Sequence, residues 1–124
     1  MKNTRLLIVD DHEIFRRGLR ALLEPEWEIC GEASDGLDAV KQCEALRPDV
    51  VVIDVTMPGL NGLEATRLIK NKFPETQIII VTQHDSSQIR AAAREAGASH
   101  LITKSAVGSE LVSAIKGLAN HSAA

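Results

Sequence analysis

Residues 6–11, Leu-Leu-Ile-Val-Asp-Asp, decide the fold class, because a short apolar run there ends in two carboxylates. Apolar runs of this length, rich in branched side chains, are typical of the buried strands of a parallel sheet. Three later runs have the same form, and they end in Asp54, Thr82 and Lys104. The carboxyl ends of parallel strands meet at one edge, and open α/β sheets bind their ligands at that edge. The sequence therefore predicts one site built from three acids, a hydroxyl group and an ammonium group.

The rest of the chain alternates strands with helical segments. Predicted strands lie at about 5–10, 28–33, 49–54, 77–82 and 99–103. Predicted helices lie at about 13–24, from Asp35-Gly36 to Pro48, and at about 63–73, 86–96 and 106–119. This order predicts an α/β fold, a (βα)5 doubly wound parallel sheet with helices on both faces. We expect one domain over residues 1–119, with residues 120–124 forming a frayed C-terminus or a linker stub.

Composition excludes several classes of protein. The net charge of −3 argues against a nucleic-acid binder, so we expect Arg16, Arg17 and Arg20 to form a solvated helix face. Cys30 and Cys43 have neither redox nor zinc spacing and are predicted to be packing residues. The histidines (12, 84, 100 and 121) show no ligand spacing. The sequence shows no signal peptide and no membrane span, which predicts a cytoplasmic protein without membrane partners.

Charge indicates what the predicted site binds. Carboxylates about 4 Å apart repel by about 4 kcal/mol at an effective dielectric near 20, so Asp10, Asp11 and Asp54 need a cation. Hard oxygen ligands favour Mg²⁺, which can also bind phosphate oxygens. Lys104 would neutralise a phosphoryl group and Thr82 would donate a hydrogen bond to it, which leaves one carboxylate to act as the nucleophile. Taken singly, Asp11 also fits a helix cap and Asp54 a turn residue, but the joint pattern favours a site.

The motifs resemble the receiver domain of two-component response regulators from end to end. The resemblance lies in Leu-Ile-Val-Asp-Asp-His at 7–12, Ile53-Asp54, Met57-Pro58-Gly59, Asn61-Gly62, and the separated Thr82 and Lys104. The text from Asp11 to Leu19 resembles the subfamily that carries a C-terminal helix-turn-helix output domain. The resemblance implies a flavodoxin-like sheet in the order 2-1-3-4-5.

The resemblance also implies roles for individual residues. Asp54 would be the phosphoacceptor, Lys104 would contact the phosphoryl group, and Thr82 would swing toward it. Mg²⁺ would be bound by Asp11 directly, by Asp10 directly or through water, by Asp54, and by the backbone carbonyl of Thr56. The phosphoryl donor would be a sensor histidine kinase, a phosphotransfer protein or a small acyl phosphate. Such a protein is a switch that promotes only its own phosphorylation and dephosphorylation, so we do not expect an enzyme in the ordinary sense.

Some positions depart from the family pattern. Leu101 stands where many members have a switching Tyr or Phe, so we expect only Thr82 to move and its coupling to be weak. Ser105 replaces a proline that is often preceded by a cis bond, and we expect the bond here to be trans. We expect Gln83 to crowd Thr82, and Thr56 and His84 to tune the lifetime of the phosphoryl group.

Three other functions are compatible with parts of the sequence. A flavodoxin-like cofactor binder needs a phosphate loop where this chain has Asp10-Asp11. A phosphatase with an aspartate nucleophile needs an acid where this chain has Thr56. The remaining alternative is a non-phosphorylated receiver-like docking module. A second copy of the chain is a further candidate partner, and DNA would be bound only through an output domain absent from these residues.

Overall fold

The computed structural model describes residues 4–55 and 61–123. Strands and helices alternate along the chain as the sequence predicts: β1 (Arg5–Val9), α1 (Glu13–Leu23), β2 (Glu28–Ala33), α2 (Gly36–Leu46), β3 (Val50–Asp54), α3 (Gly62–Lys72), β4 (Gln77–Thr82), α4 (Ser87–Ala96), β5 (His100–Thr103) and α5 (Val107–Ala123). A short 3₁₀ turn, Lys104–Ala106, joins β5 to α5. Helix α5 runs to Ala123, so the backbone of residues 120–123 is helical. The domain boundary at residue 119 stays a prediction.

The five strands form one parallel sheet in the order β2-β1-β3-β4-β5, which confirms the predicted flavodoxin-like topology. Strand β1 lies near the middle and pairs with both β2 and β3. Its register with β3 sets Val9 beside Ile53, so the acids that follow them emerge next to each other. The site is therefore placed by backbone pairing before any side chain is considered.

Alternation within the strands divides the core into two layers. The layer under α1 and α5 takes the even-numbered residues of β1 and β3, such as Leu6 and Val52. The layer under α2, α3 and α4 takes the odd-numbered ones, such as Leu7 and Ile53. Because both faces of the sheet are covered, the central strands are apolar throughout, which explains their short continuous apolar runs.

Side-chain caps fix the starts of three helices. Asp35 accepts a hydrogen bond from the Asp38 backbone, Asn61 accepts from Leu63 and Glu64, and Ser86 accepts from Ile89. These caps satisfy backbone N–H groups that have no partner within the helix. The N-cap of α1 is His12, whose side chain makes no cap hydrogen bond, so the alternative that Asp11 serves as a helix cap is wrong.

Three further details concern an exposed side chain, a peptide bond and the character of the helices. Leu37 lies in the first turn of α2 and is 58% exposed. Within the described residues no peptide bond is cis, so the Lys104–Ser105 bond is trans as expected. No helix in the described part of the chain combines the length and apolar character that crossing a bilayer requires.

Gly62 lets the start of α3 lie directly against the end of β3. Its N–H donates to the Val55 carbonyl, with 3.2 Å between nitrogen and oxygen. A Cβ at this position would lie 2.1 Å from the Asp54 carbonyl oxygen and 2.8 Å from the Val55 Cα. Since both neighbours are backbone atoms, a larger residue would displace the strand end that carries Asp54.

We expect Gly62→Ala to lower the free energy of unfolding by about 1–3 kcal/mol, the usual cost of overpacking. Gly18→Ala is the matched control, since a Cβ there meets nothing within 4 Å. It should raise stability by about 0.5–1 kcal/mol, as alanine does in a helix interior. Urea unfolding of both variants tests this, and a Gly62→Ala protein as stable as the parent would contradict the close contact.

Candidate functional site

Two carboxylates are buried at the carboxyl edge of the sheet. Asp10 follows β1 and is 1% exposed, and Asp54 ends β3 and is 3% exposed. Both continue the alternation on the α1/α5 side, because Ile8 and Val52 belong to that layer. Asp11 follows Asp10 with its side chain partly exposed at the rim. The structure therefore brings the three predicted acids together.

Lys104 supplies the positive charge of this cluster. Its Nζ lies 3.2 Å from Asp10 Oδ2 and 3.6 Å from Asp54 Oδ2, and its side chain is 14% exposed. Lys104 follows Ile102, which packs in the α1/α5 layer. The alternation of β5 thus carries the ammonium group to the same side of the sheet as the two buried acids. One ammonium group offsets only part of the charge of three carboxylates.

The groups around Asp10 hold it in one position. Its backbone N–H donates to Ala33, and its carbonyl accepts from Arg16 at 2.7 Å. Oδ1 accepts from the His12 backbone N–H at 2.7 Å. Oδ2 is buried and accepts no hydrogen bond from the described residues, so the nearby ammonium group of Lys104 is a charge contact without hydrogen-bond geometry. A buried carboxylate oxygen in this state fits a ligand of a metal ion.

The geometry of the acids also fits a divalent cation. Asp10, Asp11, His12 and Asp54 each offer one ligand atom, and these atoms lie within 4.8 Å of one another. Carboxylate oxygens with space for water are the ligands that Mg²⁺ prefers. His12 lies in this group, although the spacing of the histidines in the sequence predicts no ligand role for them. The signal was present in the sequence, since His12 directly follows the two acids.

Thr82 lies at the same edge of the sheet, but its hydroxyl group is hydrogen-bonded to the backbone of His84 and not to the carboxylates. Its hydroxyl donates to the His84 carbonyl at 3.1 Å and accepts from the His84 backbone N–H at 3.3 Å. The alternation of β4 sets Thr82 on the α2–α4 side of the sheet, with Ile80. The hydroxyl must therefore leave His84 before it can serve a ligand at the carboxylates.

The remaining predicted residues lie around this edge or outside the described part of the chain. Gln83 and His84 are exposed in the loop after β4, and Leu101 of β5 packs half-buried in the α2–α4 layer. Thr56, predicted as a carbonyl ligand and a tuning residue, lies outside the described residues, as do Met57, Pro58 and Gly59.

Helix α1 adds two contacts that sequence reasoning missed. The Phe15 ring centroid lies 4.4 Å from Lys104 Nζ, a cation–π distance. Arg16, expected on a solvated face, instead bonds the Asp10 carbonyl and Glu32 and has an 18% exposed side chain. With His12 these residues recur at helical spacing, which turns one face of α1 toward the site. The helical spacing of these residues is visible in the sequence, but it does not show which face of α1 is buried, because that depends on how the helix packs.

Glu32 of β2 anchors this face of α1. Arg16 Nε donates to one of its oxygens at 2.8 Å and an Arg20 guanidinium nitrogen donates to the other at 2.6 Å. Burial raises the pKa of Glu32, but the hydrogen bonds from Arg20 and Arg16 lower it by more, so the pKa lies below its ordinary value. Glu32 is thus ionised while α1 is docked.

Comparisons with known proteins agree with this geometry. The family described as "Response regulator receiver domain" matches residues 6–116. The chain is 45% identical over 113 residues to the response regulator UvrY of Escherichia coli, covering 90% of this chain and 52% of that protein. It is 40% identical over 114 residues to the DNA-binding transcriptional activator DevR/DosR of Mycobacterium tuberculosis, covering 90% and 52%. The chain thus spans about half the length of these curated relatives.

Solved structures show the same fold. The crystal structure of a LuxR-family two-component response regulator from Aurantimonas matches with a TM-score of 0.89 and 42% identity, covering 94% of this chain and 85% of that chain. The receiver domain of RcsB from Salmonella enterica, solved with the phosphomimetic BeF3⁻, matches with a TM-score of 0.87 and 27% identity, covering 96% and 90%.

We expect Glu32→Gln to lower the free energy of unfolding by about 1 kcal/mol at neutral pH, because two arginines lose an ionised partner. A carboxyl with a lowered pKa in the folded state stabilises above its unfolded pKa, and that stability is lost as pH falls through the folded value. The difference between parent and variant should therefore shrink below about pH 4. Urea unfolding across pH measures it. Glu24→Gln, on the exposed side of Arg20, should cost less, and a difference that persists unchanged in acid would contradict the ionised pair.

Proposed function

The chain belongs to the response-regulator receiver family, and on that basis we propose that Asp54 accepts a phosphoryl group in a pocket that binds Mg²⁺. Receiver domains of two-component systems are phosphorylation-controlled switches with an acidic pocket for this ion. The observation that carries the assignment is the position of Lys104, whose ammonium group lies between two buried carboxylates. Asp10 and Asp11 would hold the ion, together with the Thr56 carbonyl.

The proposed reaction is a simple transfer. A carboxylate oxygen of Asp54 attacks the phosphorus, and the new O–P bond forms while the P–N bond of a phosphohistidine or the P–O bond of an acyl phosphate breaks. The leaving group keeps the electron pair. When bound, Mg²⁺ supplies charge that offsets the carboxylates and the transferred phosphoryl oxygens. Lys104 contributes a further positive charge from within the pocket and needs little reorganisation, because it already contacts Asp54.

Asp54 is the better nucleophile on structural grounds. Asp10 is held by hydrogen bonds through its backbone and Oδ1, which suits a fixed ligand. Asp11 is at the rim, with the imidazole of His12 against it. Asp54 lies at the end of the middle strand, between the acids of β1 and the ammonium group after β5. A phosphoryl group there would meet the ammonium group of Lys104 on one side and, when it is bound by the acids of β1, Mg²⁺ on the other.

Thr82 supplies the response to phosphorylation in this proposal. Its hydroxyl is bonded to the backbone of His84, so a new phosphoryl oxygen competes for it. Moving the hydroxyl releases the start of the loop that contains Gln83 and His84 and leads into α4. These two residues would also set how fast water reaches the phosphoryl group. The switch is thus a shift between two hydrogen-bond arrangements of one threonine.

Signalling partners follow from the family. The phosphoryl donor is proposed to be a sensor histidine kinase or a phosphotransfer protein. One relative is named a DNA-binding transcriptional activator, and the chain matches about half of it. Where this chain is joined to such an output domain, phosphorylation would control transcription, and DNA contacts would belong to that domain.

Intact-mass spectrometry tests the proposed chemistry. Incubation with acetyl phosphate and Mg²⁺ should add one phosphoryl group, and chelation of the ion should prevent it. Asp54→Asn should gain nothing, because an amide is a poor nucleophile. Asp85→Asn is the matched control and should be phosphorylated normally, since Asp85 pairs with Arg90 outside the pocket. A folded parent protein that gains no mass would favour the docking-module alternative.

We expect phosphorylation to change the Leu101 environment little. Leu101 pairs with Ile80 on the same side of the sheet as Thr82, but it lacks the rotating ring that many family members have there. Methyl NMR spectra with and without beryllofluoride measure this. The change in the Leu101 methyl chemical shifts should be as small as the change at a distant core methyl group, such as that of Ile115. A large change at Leu101 would show that the leucine transmits the switch.

A further inference from the structure

His12 places an imidazole nitrogen against the acidic pocket. Its Nδ1 lies 3.2 Å from Asp11 Oδ1 and 3.4 Å from Asp10 Oδ1. The backbone of His12 is fixed, because it caps α1 and its N–H donates to Asp10. The side chain is 66% exposed, so the ring lies at the open rim and not in the core. The nitrogen is therefore available on the solvent side of the carboxylates.

The four candidate ligand atoms are spaced almost as closely as a metal ion requires. They lie within 4.8 Å of one another, while ligands about 2.1 Å from an octahedral ion are about 3 Å apart when adjacent and about 4.2 Å apart when opposite. Shortening the longest separation from at most 4.8 Å to about 4.2 Å would bring the set to that spacing. Asp10 Oδ2 is an independent observation, because this buried oxygen accepts no hydrogen bond from the described residues and has only a charge contact with Lys104, which leaves it able to bind a metal ion.

The kind of ligand decides which ion gains from His12. Mg²⁺ prefers oxygen and gains little from an imidazole, whereas first-row transition-metal ions bind imidazole well. We propose that His12 is a nitrogen ligand of the pocket for transition-metal ions such as Ni²⁺ and Cu²⁺, while Mg²⁺ is held by oxygens alone. This assignment rests on the metal role of the carboxylates in the proposed function. It makes His12 a determinant of metal selectivity.

Calorimetric titration of the whole chain with Ni²⁺ and Mg²⁺ tests the selectivity. His12→Gln should weaken Ni²⁺ binding by about tenfold or more and leave Mg²⁺ binding within about twofold. His100→Gln is the matched control, because His100 is exposed at the start of β5, at the opposite end of the sheet. It should keep the affinity of the parent for Ni²⁺. An equal loss in this control would overturn the assignment to His12.

Cu²⁺ electron paramagnetic resonance gives a direct signature. Nitrogen superhyperfine lines should appear in the parent protein and disappear in His12→Gln, with circular dichroism confirming that the variant is folded. Lines that persist in the variant would overturn the proposal.

One further variant separates this failure from that of the proposed function. Asp11→Asn should weaken Mg²⁺ and Ni²⁺ alike. If Asp11→Asn leaves Mg²⁺ binding unchanged, the proposed metal role of the carboxylates is wrong. If only His12→Gln leaves Ni²⁺ binding unchanged, the carboxylates keep that role and only the proposal of a nitrogen ligand is wrong.

Discussion

The structure depends on keeping two carboxylates buried at the ends of strands that are otherwise apolar. Asp10 and Asp54 are almost fully covered, and moving a charge out of water costs several kcal/mol per ion. Lys104 offsets part of that cost through contacts with both. Strand pairing, the Gly62 contact and the bonds that hold Asp10 all serve to keep these groups in register. The cost that remains is what makes the pocket ready for a cation.

The residues of the site are distributed over the two sides of the sheet. Asp10, Asp54 and Lys104 share the side covered by α1 and α5, whereas Thr82 and Leu101 lie on the side covered by α2, α3 and α4. Thr82 lies at the end of β4, where the two layers come closest to the site. In the proposed function, its bonds to the His84 backbone are the link that carries a change in charge at the carboxylates to the other layer.

Much of the fold and the charged groups of the site could be predicted from the sequence, because both depend on local patterns. Apolar runs that end in Asp10, Asp54, Thr82 and Lys104 specify strands and a shared edge, and caps such as Asp35 and Ser86 mark helix starts. Contacts that depend on how elements pack were beyond such patterns. Arg16 was assigned to solvent because its partner, Glu32, is distant in sequence. The Phe15–Lys104 contact has the same origin.

The contact between Lys104 and the two buried acids also constrains how the domain forms during synthesis. Asp10 and Asp54 leave the ribosome well before Lys104, and β5 pairs only with β4 at the edge of the sheet. A nascent chain that already holds β1 and β3 together would crowd like charges with no ammonium group to offset them. The last strand thus brings the positive charge that offsets the buried carboxylates, and it also completes the sheet. The domain therefore gains its full stability only when nearly all of it has been made.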